Sequence, residues 1–437
     1  MASPRSWIGV LAFTAAPAMA ADPANIEWAA VPSTTVTLFY PGQSSYEWLR
    51  NDHMKKGKEE SKGAKAVQQG GTCIKCHEGD ERVMGESIVK GGALEPTPVQ
   101  GKNGSIDLGV QVAYDARNVY FRFQWKTLKP YPGSEHQYLR FDGKEWKVYG
   151  YPTLDQIVRE GKQPGIYEDR MSMMLDDGKV PGFGRQGCWL TCHDGQRDMQ
   201  RPASKEDAAA NPLLSSIKKS DLRKYLPSTR RDPADWKTGR SSEEIAKIKA
   251  DGGFVDLIQW RAHRSHGVGM ADDGYVLEYR LSDAGKDMFS GNADPKTHAP
   301  RFMWDEKKVG YRSIRAEALR KAPHFLVRGQ NAVPFDPNAG WKAGDLIPDY
   351  VLSRQDAAGS AADNSALAGW KDSQWTVVLV RPLNLSNADD KALKEGGMYN
   401  VGFAVHDDNI TTRGHHVSFV RTLGIGAAAD IRAVKLP

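Results

Sequence analysis

Four cysteines and two histidines form the pattern with the clearest chemistry in this sequence. Cys73 and Cys76 are separated by two residues, and His77 follows directly. Two thiols at this spacing add to the two vinyl groups of a haem, and the adjacent histidine then binds the iron. The pattern predicts covalent haem attachment through Cys73 and Cys76, with His77 as an axial ligand. A redox-active or disulfide-bonded pair is the alternative, but a thioredoxin-like pair needs a βαβ context, whereas a polar stretch precedes Cys73.

A second motif resembles the first. Cys188 and Cys192 have three residues between them, and His193 follows. This wider spacing still predicts a haem on Cys188 and Cys192 with His193 beneath the iron, so we expect two covalently bound c-type haems. The alternative is that the second motif carries no haem. All four cysteines fall in the two motifs, which leaves none for the long-range disulfides that exported proteins commonly form.

Each iron needs a second axial ligand if it only transfers electrons. His53 precedes the first motif by about 20 residues, and we expect it to bind the first iron. Met54 and Met84 are competing candidates, and a methionine would raise the reduction potential relative to two histidines. His53 as an ordinary surface histidine also stays open.

The N-terminal residues, the apolar runs and the net charge indicate where the protein is located and which partners it can have. The first 20 of its 437 residues have one Arg, a short apolar run and Ala-Met-Ala at the end, which predicts a signal peptide for export to the periplasm. No later apolar run approaches the ~20 residues that span a bilayer. A net charge of +5, from 59 basic and 54 acidic residues, argues against nucleic acid as a partner.

Alternating apolar and polar residues from about residue 100 predict a mainly β fold, an immunoglobulin-like antiparallel β-sandwich. We expect a small c-type haem module over 21–100 and the sandwich over 101–437. Helical signatures at Ser204 and Ser241 mark an insertion at 203–251, and a Pro- and Gly-rich segment at 282–347 is expected to form loops. The strand predictions include 118–125, 171–175, 255–260, 276–281, 375–380, 399–405 and 416–423.

Several short motifs in this region resemble one family. They resemble the haem-binding domain of the ethylbenzene dehydrogenase gamma subunit, which also occurs in cytochrome subunits of molybdenum enzymes related to dimethyl sulfoxide reductase. The resemblance covers about residues 100–435 and implies a sandwich that holds one haem near its edge. The motifs are Tyr114-Asp115, Val119–Phe123, Glu168–Met174, Gly187-Cys188, Gln259–Ala262, Asp272–Gly274, Gly402–Val405 and His416–Ser418.

The same resemblance implies ligands for the second haem. The gamma subunits hold a non-covalent b-type haem between a methionine and a lysine, and the lysine lies near the final strand. The corresponding region here contains His415 and His416, so one of them is implied as the distal ligand. Alternation along a strand lets only one of the two face the pocket. A surface or hydrogen-bonding histidine pair is the alternative.

Other residues near this region could contact a haem without attaching it. Arg261 and Arg264 could bind its propionates through charge-assisted hydrogen bonds, and His263 and His266 could reach the haem or its propionates. Met171, Met173 and Met174 are expected to be core or haem-packing residues. No supporting pattern assigns a role to His136, His298, His324 or His406.

The predicted function is electron transfer between the two haems and a redox partner, which would be a respiratory molybdoenzyme or another cytochrome. A lysine-rich stretch beside the first motif could attract an acidic partner. The alternative is a haem enzyme with one open iron position that reduces a small substrate or peroxide. The sequence contains no nucleophile elbow, phosphate loop or dinucleotide fingerprint. The lysines are Lys55, Lys56, Lys58, Lys62 and Lys65.

Overall fold

Strands make up most of the regular structure. The computed structural model describes residues 22–42, 55–56, 59–60, 66, 71–72, 74–92, 95, 98–99, 101–127, 133–153, 156–191, 203–233, 235–321, 323–407 and 414–437. Its strands are β1 (Thr34–Phe39), β2 (Lys55–Lys56), β3 (Glu59–Glu60), β4 (Ser105–Tyr114), β5 (Asn118–Lys126), β6 (Tyr138–Phe141), β7 (Trp146–Tyr149), β8 (Arg170–Asp176), β9 (Val255–Arg261), β10 (Asp272–Val276), β11 (Arg280–Ser282), β12 (Gly285–Lys286), β13 (Phe289–Gly291), β14 (Phe302–Trp304), β15 (Ala332–Pro334), β16 (Leu346–Pro348), β17 (Tyr350–Leu352), β18 (Ala358–Gly359), β19 (Ser365–Lys371), β20 (Gln374–Pro382), β21 (Met398–His406), β22 (His416–Val417), β23 (Arg421–Ile425) and β24 (Ile431–Lys435).

The helices are short and lie between the strands. The α-helices are Ile74–His77, Glu81–Val89, Gln156–Arg159, Phe183–Thr191, Lys205–Ala210, Pro212–Ser216, Ser242–Ala250 and Glu306–Val309. The 3₁₀ turns are Pro23–Asn25, Trp28–Ala30, Pro227–Thr229, His266–Val268, Ala316–Ala318 and Ser360–Ala362. Within the described residues, none of the helices has the length and apolar character needed to cross a bilayer.

One large sheet, almost entirely antiparallel, contains thirteen of the strands. Its order is β11-β10-β9-β8-β21-β22-β1-β4-β5-β20-β19, and β23 and β24 form a second connection between β21 and β4. The sheet therefore folds into two layers joined at β21 and β4. The predicted mainly β, sandwich-like fold is confirmed.

Aromatic side chains fill the space between the two layers. Trp260 on β9 packs against Trp375 on β20, with ring centroids 4.8 Å apart, and against Trp125 on β5 at 6.2 Å. Phe403 on β21 meets the edge of Phe123 on β5 at 5.8 Å. All five side chains are buried, so this aromatic core fixes how the two layers face each other.

Two of the predicted strands are interrupted in the structure. The stretch 276–281 contains the turn of a hairpin, because β10 ends at Val276 and pairs with β11, which begins at Arg280. The stretch 416–423 is divided between β22 and β23, which pair with different neighbours besides β21. Alternation continues through both breaks, so the sequence pattern alone does not reveal them.

The two insertions differ from each other. The segment 203–251 is helical, and capping boxes at Ser204 and Ser241 start two of its helices as predicted. The segment 282–347, expected to be loops, instead contains several two- or three-residue strands. Its residues Trp304 and Leu346 are buried in one apolar cluster with Leu139. Strands this short leave no readable alternation, which is why the sequence suggested loops.

The chain before residue 100 contributes directly to the large sheet. Strand β1 pairs with β4 and β22, and the helix Glu81–Val89 lies against β1 and β4. A Cβ on Gly85 would meet the carbonyl oxygen of Gly104 at 1.8 Å, so this close contact requires glycine. The expected division near residue 100 stays a prediction, as does the signal peptide, because residues 1–20 lie outside the described part of the chain.

Replacing Ser241 with alanine should lower the free energy of unfolding by about 1 kcal/mol. Its hydroxyl accepts a hydrogen bond from the Glu244 backbone N–H, and the Glu244 carboxylate accepts one from the Ser241 backbone N–H. Thermal unfolding measures the loss. Ser242→Ala, at the exposed next position, is the control and should change stability by less than half as much. Equal effects would contradict the capping assignment.

Candidate functional site

A cavity of about 1010 Å³ lies on the outer face of one layer of the sandwich. Alternation along β8 explains why it lies there: Arg170, Ser172 and Met174 line the cavity, whereas Met171 and Met173 point into the core. The neighbouring strands β9 and β21 alternate in the same way. The volume is at the upper end of the ~300–1,000 Å³ that small-molecule and cofactor sites occupy.

Among the described residues, nine arginine and lysine side chains against four aspartates give the cavity wall a net positive charge. Some of these basic side chains come from the sheet and others from the helical insertion, so both parts of the chain contribute to the positive charge of the wall. Such a wall favours a ligand that carries carboxylates or other anions. These lining residues are Arg170, Lys205, Lys218, Lys219, Arg223, Lys224, Arg261, Arg264 and Arg280.

Arg261 and Arg264, the two arginines singled out from the sequence, are both in this wall. Arg261 forms a bidentate ion pair with Asp272, with nitrogen–oxygen distances of 2.6–2.9 Å. Arg264 Nε donates to Glu168 at 2.6 Å. Burial works against the charge on Arg261, but the adjacent Asp272 raises the pKa of its guanidinium above the ordinary value. Both arginines therefore already have internal carboxylate partners.

Arg170 and Arg280 are less completely neutralised. Burial lowers the pKa of Arg170 to about 9, and burial together with the neighbouring Arg261 lowers that of Arg280 to about 10. Arg170 lies 3.4 Å from Glu168, and its buried Nε has no hydrogen-bond partner among the residues that the structure describes. Buried donors of this kind are suited to hydrogen-bond an anionic ligand in the cavity.

Three histidines also line the cavity: His136, His406 and His415. The rings of His406 and His415 are stacked, with centroids 5.0 Å apart. Burial, followed by the positive field of nearby groups, lowers the pKa of His136 and His406 well below the ordinary value. Both are therefore neutral near pH 7, and neutral imidazole is the form that binds a metal.

His415 and His416 face opposite sides, as strand alternation requires. His415 lines the cavity, whereas His416 is fully buried away from it. Its Nε2 lies 2.8 Å from the Asn103 carbonyl oxygen and its ring packs near Tyr40. His415, and not His416, is the member of the pair that the structure places on the cavity wall.

The helix Phe183–Thr191 contains Cys188 and packs against β8 and β21. Its first residue, Phe183, belongs to the same apolar cluster as Met174 and Leu257, which line the cavity. The helix kinks at Gly187, whose φ of 67° and ψ of 177° suit glycine. The backbone at Cys188 therefore lies on the same face of the sheet as the cavity.

The first motif lies on the other side of β22. Cys76 and His77 are exposed on the helix Ile74–His77, and His77 Nδ1 is 3.4 Å from Asp80. Ile74 and Met84 pack against an apolar cluster of Phe39, Val417 and Phe419. Met84, one of the alternative ligands, is thus near the helix that contains Cys76 and His77. Arg421 anchors the following turn through Glu78 at 3.3 Å and Glu81 at 3.6 Å.

Several predicted site residues lie outside the described part of the chain. They are His53, Cys73, Cys192 and His193, together with Met54 and three of the five lysines. Their roles stay predictions. Of the remaining alternatives, His263 is buried with Nδ1 3.0 Å from the Ser134 carbonyl oxygen, and His266 packs among Trp260, Phe325 and Trp375.

Sequence reasoning missed His136, His406, Arg170 and Arg280 as cavity residues. His406 ends β21 and Arg170 begins β8, and the two residues are paired across the strands. Arg170 lies within the short motif Glu168–Met174, which assigned it no role, and His406 directly follows the motif Gly402–Val405. A usable signal was present only for Arg170, because a charged residue at the start of an otherwise apolar strand indicates a special environment.

The fold and the site define a mainly β protein with a cationic, histidine-bearing cavity on one face of a sandwich. The sequence pattern of the ethylbenzene dehydrogenase family matches residues 25–418, and the chain belongs to that family. It is 28% identical over 429 residues to cytochrome c-552 of Stutzerimonas stutzeri, covering 98% of this chain and 96% of the relative. It is 24% identical over 229 residues to cytochrome c-551 of Rhodocyclus tenuis, covering 52% and 73%.

Lowering the pH should destabilise the protein through His416. Burial lowers the pKa of His416 well below its ordinary value of about 6.5. Below about pH 6.5 the unfolded chain therefore binds a proton that the folded chain does not, and stability falls as the pH drops. Between about pH 7.5 and 5.5, His416→Gln should lose about 1 kcal/mol less stability than the wild type.

Thermal unfolding across this pH range measures the difference. His298→Asn is the matched control, because His298 is exposed and has a left-handed φ of 58° that asparagine tolerates. It should lose as much stability as the wild type. A pH dependence in His416→Gln that equals the wild-type one would contradict the assignment.

Proposed function

We propose that this protein is a periplasmic dihaem c-type cytochrome that transfers electrons. One haem is attached at Cys73 and Cys76, and the second at Cys188 and Cys192 within the cationic cavity. The two relatives named as c-type cytochromes support covalent haem, because one of them aligns with nearly the whole chain. The periplasmic location rests on the predicted signal peptide and on the presence of attachment motifs.

The observation that carries the proposal is the short stretch 415–419, which contacts both regions. His415 lines the cavity. Val417 also lines the cavity and packs in the apolar cluster that contacts Ile74, a residue within the first motif. A single strand, β22, thus separates the two regions, which is an arrangement suited to passing an electron between two cofactors.

The cavity residues fit a haem by charge, size and ligand type. Haem iron supplies a centre that gains or loses one electron when both axial positions are filled. In the proposal, His193 and His415 would hold the iron of the second haem, and His406, which stacks on His415, would help to orient it. Arg170 and Arg280 would hydrogen-bond the propionates, while Arg261 and Arg264 would hold the wall in place through Asp272 and Glu168.

The partner we propose is a redox protein, either a molybdoenzyme or another cytochrome. Membership of the ethylbenzene dehydrogenase family supports the molybdoenzyme. The lysine-rich stretch between Lys55 and Lys65 lies next to the first motif in the sequence and would attract an acidic surface on that partner.

The number of haems should be two. Intact mass of the purified protein should exceed the mass of the mature chain by two haem groups, and the variant Cys188→Ala/Cys192→Ala should lose one of them. Cys73→Ala/Cys76→Ala is the matched control, which should lose the other haem. A wild-type mass with a single haem would contradict the proposal for the second motif.

Replacing His415 with alanine should open one iron to external ligands. The reduced wild type should not bind carbon monoxide, because both irons have two protein ligands, whereas His415→Ala should bind about one equivalent per chain. His416→Ala is the matched control, since its side chain faces away from the cavity, and it should bind none. Binding by the wild type would favour the haem enzyme with an open iron position instead.

A further inference from the structure

A group of buried aspartates lies outside the cavity wall just described. Asp283 follows β11, and Asp389 and Asp390 lie in the loop between β20 and β21. Their relative exposures are 6%, 5% and 7%, so all three carboxylates are more than nine-tenths buried. Carboxylate oxygens from the three residues lie within 4.8 Å of one another. Three buried carboxylates this close need either a bound cation or protonation to offset their mutual repulsion.

Protein cations neutralise this group only in part. Arg381 donates to Asp390 at 2.9 Å and to Asp256 at 2.6 Å, and it lies 3.7 Å from Asp273. The guanidinium is thus shared among three carboxylates. Among the described residues, no hydrogen bond or ion pair joins it to Asp283 or Asp389.

Besides the closeness of the three carboxylates, a second and independent observation concerns the partners of Asp283. Neither of its carboxylate oxygens has a hydrogen-bond partner among the described residues. By contrast, Asp389 accepts from the Ala284 N–H at 2.7 Å and the Ser360 hydroxyl at 2.9 Å. An ionised carboxylate that is buried without any partner is strongly unfavourable. Burial and the neighbouring carboxylates raise the pKa of Asp283 to about 9, which reflects this unfavourable state.

We propose that Asp283, Asp389 and Asp390 bind one calcium ion. Oxygens that share a Ca²⁺ at ~2.3–2.6 Å can be at most about 5 Å apart, and the three carboxylates satisfy this limit. All three donors are oxygen atoms, the ligand type of Ca²⁺ and Mg²⁺. Calcium fits better than magnesium, because donors from two separate loops form an irregular site and Mg²⁺ needs a near-ideal octahedron.

The site has a structural consequence for the fold. Asp283 lies directly after the strand that forms one edge of the large sheet, whereas Asp389 and Asp390 belong to the loop after β20 in the opposite layer. A shared ion would fasten this edge to the loop. Within this edge, Arg280 lines the cavity three residues before Asp283, so the ion would also steady one side of the cavity.

The test uses the full haem-loaded protein, stripped with EDTA and then dialysed against Ca²⁺. We expect one Ca²⁺ per chain by elemental analysis and a rise in the melting temperature on adding Ca²⁺. Asp283→Asn should melt at a higher temperature than the wild type in EDTA at pH 7, because the raised pKa of Asp283 means that this carboxylate must take up a proton when the ion-free chain folds. The same variant should bind Ca²⁺ at least tenfold more weakly and lose the calcium-induced rise.

Asp372→Asn is the matched control, because Asp372 is exposed and its φ of 52° tolerates asparagine. It should keep the wild-type response to Ca²⁺. Asp389→Asn provides a second variant and should also lose the response. A stripped wild type that binds no Ca²⁺, or an Asp283→Asn variant that binds it as tightly as the wild type, would overturn the proposal.

Discussion

Burial of positive charge on one face of the sheet is the constraint on which the site depends. Alternation along β8 and β9 sends Met173 and Trp260 into an aromatic and aliphatic core and sends Arg170 and Arg261 to the opposite face. A buried guanidinium is unfavourable unless a carboxylate or another acceptor meets it. Asp272 meets this need for Arg261, whereas no described residue accepts a hydrogen bond from the Nε of Arg170. The same alternation that builds the core therefore places cationic side chains in the cavity, where they can bind an anionic ligand.

The second feature of the structure is the position of β22. It pairs with β21, which lines the cavity, and with β1, which lies beneath the first motif. Adjacent residues on a strand point to opposite sides, so the two histidines have different environments. His415 lines the cavity, whereas His416 is buried beside Tyr40. Because only β22 separates the cavity from the first motif, an electron path between two cofactors at these places would be short. It would not require the cavity and the first motif to move relative to each other.

Much of the fold follows from local sequence patterns, whereas the site follows only in part. Alternation predicted most of the long strands, and Ser204 and Ser241 correctly marked two helix starts. The pairing of β1 with β4 and the short strands of 282–347 depend on contacts between distant residues, which leave no local signal. Arg261 was found within the motif Gln259–Ala262, and Arg264 was found two residues after it. His406 was not found, because what distinguishes it is the stacked ring of His415, which a loop brings back beside it.

The central claim is that the cationic cavity holds the second haem. Anomalous diffraction at the iron absorption edge, measured on crystals of the haem-loaded protein, tests it most directly because it locates each iron independently of any phasing from this structure. The account predicts two iron peaks per chain, one of them inside the cavity within bonding distance of His415. Two iron peaks that both lie outside the cavity, or a single peak near Cys76 with none beside His415, would contradict it.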